Sequence, residues 1–167
     1  MRSRIEYLKA APGLFEAIRP LEDYVSNCGL EPSLLDLVLI RASQINGCAY
    51  CIDVHTREAR ARGETEQRIY ELDAWRETPF YTEREMAALA WTEAVTLIAA
   101  DHVPDEVYEE ARKWFTEVEL VNLTVAIALI NAWNRLSISF RSVPRQYRPS
   151  RMPEAEKESA RIEAEYH

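Results

Sequence analysis

Apolar residues recur at helical spacing along most of the chain. Over residues 14–28 they fall at Leu14, Ile18, Leu21, Val25 and Cys28. Those steps trace one face of a helix. Gly29 offers a left-handed stop, and Pro20, inside the pattern, predicts a kink or a split. Ser33 predicts the N-cap of a second helix, with Asp36 three residues on and an apolar face of Leu37, Val38, Ile40 and Ile45; Asn46-Gly47 ends it. A third helix is predicted from Cys48 to about Arg62, closed by Gly63, and a weaker one over residues 65–72. Thr82 with Glu85, and Thr116 with Glu119, are capping boxes. The first opens a helix to about Ala100. The second opens one to about Ser137, apolar on nearly every face until Asn131, as in a helix buried in a core or a subunit interface. Between them Pro104-Asp105 starts a helix with Val107, Ala111 and Phe115 on one side. With no alternating strand, repeat or glycine-rich phosphate loop, the pattern is all-α.

Composition narrows the class. The chain has 167 residues, of which 47% are apolar, and only 4 glycines and 8 prolines, too few for an all-β chain full of tight turns. The net charge of −8 argues against a general nucleic-acid binder. No 18-residue stretch is free of charged or strongly polar side chains, so no membrane span is expected. The N-terminus lacks a continuous apolar run, so no secretory signal is expected. Three cysteines do not make a disulfide scaffold, and a reducing cytoplasm is the expected compartment. Residues 1–148 are read as one helical domain. Residues 149–167 are read as a charged tail, a surface helix or a frayed end. The five arginines of residues 135–151 are expected to pair with acids of this chain or of a neighbouring subunit rather than with an anion.

Candidate chemistry centres on Cys48, Cys51 and His55. Spacings of 3 and 4 put all three on one helical face. Residues three apart on a helix have Cα atoms roughly 5 to 5.5 Å apart, within disulfide range. Unpaired N–H groups and the dipole at the helix start favour a thiolate there, and an imidazole one turn on can take and return a proton. If one thiolate is oxidised to a sulfenic acid, the second cysteine condenses with it, and the disulfide then needs an external reductant. This peroxide-reducing cycle calls for no metal or organic cofactor. Three other readings stand beside it. Zinc would need a fourth ligand, for which His102 and Cys28 are the remaining candidates. The cysteines could be buried small hydrophobes. Or the dithiol could be a redox-responsive switch in a binding or scaffold protein. The aromatics Trp75, Phe80, Tyr81 and Trp91 could line a pocket for an alkyl peroxide, or could be ordinary core.

These residues carry a resemblance. Ser43-Gln44-Ile45-Asn46-Gly47-Cys48, with Cys51 and His55, and the later Asn131-Ala132-Trp133-Asn134-Arg135-Leu136 with Phe140-Arg141, resemble the AhpD-like, carboxymuconolactone decarboxylase family over roughly residues 12–148. The resemblance implies an all-α fold, a homo-oligomer (trimer or hexamer), and, in the branch with the cysteine pair, an alkyl hydroperoxidase served by a dithiol reductant protein. It implies that Cys51 attacks the peroxide, Cys48 resolves and His55 relays protons. A family glutamate twelve residues before the first cysteine corresponds to Asp36, one methylene shorter. That residue is read either as part of the proton relay or as a helix cap. The family prototype's histidine between the cysteines is replaced by Tyr50. The helix dipole, in contrast, favours Cys48 as the more acidic thiol.

Overall fold

The computed structural model describes residues 2–144. Nine α-helices and one 3-10 helix follow in order among them: α1 (Tyr7–Ala10), α2 (Gly13–Ser26), α3 (Pro32–Asn46), α4 (Ala49–Ala61), α5 (Glu66–Glu71), the 3-10 helix (Leu72–Glu77), α6 (Glu83–Thr96), α7 (Ile98–Asp101), α8 (Asp105–Trp114) and α9 (Glu117–Phe140). The described residues contain no strand. The predicted tail, and Arg145, Arg148 and Arg151, lie outside them. Arg135, within them, donates to the Asn131 carbonyl at 2.9 Å rather than to an acid.

The bundle is organised around α3, which packs on α4, α6 and α9. Its buried residues divide by direction. Leu34, Leu35 and Val38 enter a cluster with Trp91, Phe115, Leu123 and Ile127. Leu37 and Ile40 enter another with Leu72, Trp75, Tyr81 and Leu89. Ala42 joins Cys48, Cys51 and Ile130 in a third. A helix buried on every side shows little amphipathic period. Full burial of a leucine side chain such as Leu37 is worth about 1.5–3 kcal/mol. Trp75, Tyr81 and Trp91 are therefore core residues, while Phe80 is partly exposed.

Several features differ from the sequence reading. The α3 helix starts at Pro32, with Glu31 at the cap, because proline at the first helical position needs no N–H partner. Ser33 is thus inside the first turn, and the capping role proposed for Asp36 falls. The α2 helix runs unbroken through Pro20, whose exposed position leaves the orphaned Glu16 carbonyl to solvent. The α6 helix ends at Thr96 rather than Ala100, because Leu97 and Ile98 have left the core and are about half exposed. Both capping boxes are formed as predicted. By length and composition α9 could cross a membrane. Here its buried face carries Asn122 and Asn134, both hydrogen-bonded inside the bundle, and Ser137.

Candidate active site

Gly47 ends α3 in the left-handed region, at φ 69°, and turns the chain directly into α4. That turn places Cys48 at the N-cap of α4 rather than in its first turn. Its sulfur takes the role a serine or aspartate oxygen usually fills, accepting the Cys51 N–H at 3.4 Å. Cys48 and Cys51 are 1% and 4% exposed and both are free thiols. Around them stand Ala42 and Leu39 of α3, Tyr50 of α4, and Ile130 and Trp133 of α9.

The two sulfurs differ electrostatically. Cys48 is lowered to about 6: the Cys51 thiol donates to its sulfur, and the Cys51 N–H, Ser137 and Asn134 add further hydrogen bonds that outweigh burial. Cys51 is raised, because its proton is held against the Cys48 thiolate and the site is buried. A helix N-terminus and a shared proton therefore put the negative charge on Cys48. The thiol pair has two polar neighbours that the sequence reading did not pick out, Asn134 and Ser137.

His55 and Asp36 face a cleft of about 760 Å³ bounded by α2, α3, α4 and α9. Leu39, Ile130 and Trp133 line this cleft and also pack on the sulfurs, so they form a shared wall. The carboxylate against His55 is not that of Asp36. Glu58 lies 3.0 Å from His55 Nδ1. Its own pKa is lowered, chiefly by that hydrogen bond. An ionised carboxylate only accepts, so Nδ1 donates and Nε2 is left to exchange a proton. Asp36, 2% exposed, instead grips Arg62 with both oxygens, one of them 2.7 Å from Nε. Arg62 also lies 3.9 Å from Glu58. Asp36 thus has no direct contact with His55 and reaches it through a chain, Asp36 to Arg62 to Glu58 to His55. Glu58 and Arg62 were missed because their only signal was the repeated helical step from His55. The pairing with Asp36 spans 26 residues.

The carboxymuconolactone decarboxylase family matches residues 12–94, from α2 into α6. The uncharacterized protein YdfG of Bacillus subtilis (strain 168) is 45% identical over 139 residues, covering 83% of this chain and 95% of YdfG. This chain belongs to the carboxymuconolactone decarboxylase family. Among solved structures, a protein of unknown function from Agrobacterium tumefaciens, provisionally read as the antioxidant defence protein AhpD, is 46% identical. It covers 87% of this chain and all of its own, with a TM-score of 0.85. The debrominase Bmp8 shares the fold at 21% identity and a TM-score of 0.75, over 83% of this chain and 74% of its own.

Proposed function

We propose that this protein is a thiol-dependent peroxidase that reduces organic hydroperoxides through a Cys48–Cys51 dithiol/disulfide cycle. The observation that carries the reading is the pair of buried cysteines at the start of α4, with the Cys48 sulfur capping the helix and accepting the Cys51 N–H at 3.4 Å. In this cycle the Cys48 thiolate attacks the terminal peroxide oxygen. An S–O bond forms, the O–O bond breaks, and the departing alkoxide takes a proton and leaves as the alcohol. His55, oriented by Glu58 on the cleft side, is the proton carrier for this step. Cys51 then loses its proton and attacks the sulfenic sulfur, an S–S bond forms and water leaves. An external dithiol restores the pair. This order reverses the one the resemblance implies, because the thiolate is the nucleophile and the charge rests on Cys48. The working form proposed is a homo-oligomer in the cytoplasm.

The test is consumption of cumene hydroperoxide with excess dithiothreitol, in the wild type and in Cys48→Ser and Cys51→Ser. Sustained turnover lost in both variants supports the enzyme. One equivalent of oxidation without turnover supports instead a redox-responsive binding protein. Dimedone should label Cys51→Ser after peroxide and leave Cys48→Ser unlabelled; the opposite pattern makes Cys51 the attacker.

A further inference from the structure

We propose that the cleft takes uncharged, apolar hydroperoxides and turns away those that carry a carboxylate, with Glu22 of α2 setting this selectivity. The inference rests on the peroxidase reading and names its substrate class. The apolar side of the cleft is Phe15 of α2, Leu35 and Leu39 of α3, and Leu129, Ile130 and Trp133 of α9. Its volume of about 760 Å³ falls among pockets that hold drug-sized organic molecules, roughly 300–1,000 Å³. A bulky aryl or alkyl group gains by leaving water against such a surface. Hydrogen peroxide has no apolar area to bury there. Leu39, Ile130 and Trp133 also pack on the two cysteines, so the apolar body of a substrate lies against the same wall that covers the sulfurs.

The charges facing the cleft come from α2, α3 and α4; the lining residues of α9 bring none. Among the described residues they are four carboxylates and two guanidiniums, with His55. From α3, Asp36 is spent on the Arg62 fork. From α4, Glu58 holds His55 and lies 3.9 Å from Arg62. Arg62 therefore already faces two carboxylates. From α2 come Arg19, Glu22 and Asp23. Arg19 and Asp23 are opposite in charge and four residues apart on the helix, and both are exposed. Arg19 rests over the Phe15 ring, 6.0 Å from its centroid. Glu22 is left as the unbalanced group. Its carboxylate accepts from Trp133 Nε1 at 3.0 Å, and no cation among the described residues pairs with it. A substrate carboxylate reaching Trp133 would meet this like charge, and would leave water with no cation to receive it. An uncharged hydroperoxide avoids both costs.

The experiment uses two matched pairs of reagents on the reduced full-length protein. The substrate pair is cumene hydroperoxide and its para-carboxylate, read as kcat/KM with excess dithiothreitol. The second pair, iodoacetamide and iodoacetate, needs no peroxide chemistry and is read as the rate of Cys48 alkylation at pH 8. At about 20 mM salt the neutral hydroperoxide should be preferred roughly five- to twentyfold, and the preference should shrink in about 0.5 M salt. Glu22→Gln keeps a weaker acceptor for the indole and removes the charge. It should raise use of the carboxylate relative to the neutral substrate roughly three- to fivefold, and raise iodoacetate relative to iodoacetamide by a similar factor. A gain common to both members of a pair reports a looser α2 and cancels in the ratio. A carboxylate used as well as the neutral substrate would overturn the proposal; if Arg19→Gln then abolished that use, Arg19 would be its anchor. Unchanged ratios in a folded Glu22→Gln would overturn it too. Alkylation ratios that shift as expected, in a protein that turns over neither hydroperoxide, would uphold the charge selectivity of the cleft and count against the peroxidase reading only.

Discussion

At the scale of single residues, the site separates two carboxylates that the sequence offered as one. Asp36 is buried and clamps Arg62, whose side chain is about half exposed; Glu58 is about half exposed and orients His55. Their variants should therefore fail differently. Asp36→Asn leaves the Arg62 fork with a poorer partner at a buried position, and should cost about 1–3 kcal/mol of stability with the Cys48 alkylation midpoint unmoved. Glu58→Gln should leave the melting temperature within a degree or two and slow peroxide turnover several-fold, because an uncharged amide can both accept and donate and no longer fixes the His55 tautomer. Thermal melts and steady-state rates on the two variants check this; equal losses of turnover in both would make Asp36 a member of the relay after all. The sequence singled out Cys48, Cys51 and His55 because their spacing of 3 and 4 puts them on one face at the start and middle of α4. It could not assign Asp36, since a carboxylate's partner is chosen by a contact 26 residues away.

At the scale of elements, local chemistry was legible wherever an element is closed by its own residues. Both capping boxes and the Gly47 stop are of this kind. A boundary set by tertiary packing was not, as the end of α6 at Thr96 shows. The α9 cap also carries a pH signature. Glu119 is lowered to about 2, first by the Thr116 backbone N–H, then by the Thr116 hydroxyl and Arg84. A carboxylate depressed in the folded state contributes stability that is present above its unfolded pKa, near 4.5, and lost as pH falls towards 2. Glu119→Gln should thus be less stable than wild type at pH 7 and converge with it in acid. Urea midpoints at pH 7, 4 and 3 test this. A difference that stays constant across that range would mean that the Thr116 and Arg84 contacts do not depend on the charge of Glu119.

At the scale of the whole molecule, the buried sulfurs and the open cleft pose a question of access. A wall of Leu39, Ile130 and Trp133 stands between them, and the outer side of the cleft is α2. That helix buries a single residue, Val25. Side-chain hydrogen bonds hold it to α9: Trp133 Nε1 donates to Glu22 at 3.0 Å, and the Tyr24 hydroxyl donates to Asn122 at 2.8 Å. With α3 and α9 anchored in shared core and α2 tied by few buried contacts, local opening should begin at α2. Because Glu22 holds the indole of Trp133, movement of α2 also releases one side of the wall over the sulfurs. Amide hydrogen exchange should show α2 exchanging well before α3 and α9. Glu22→Gln should quicken α2 exchange and, in the same protein, raise the rate at which neutral iodoacetamide reaches Cys48 at pH 8, where the thiolate fraction is already saturated. Were α2 as protected as α3, or were Cys48 to alkylate no faster in a Glu22→Gln protein with loosened α2, the route to the sulfurs would have to lie elsewhere than through this cleft.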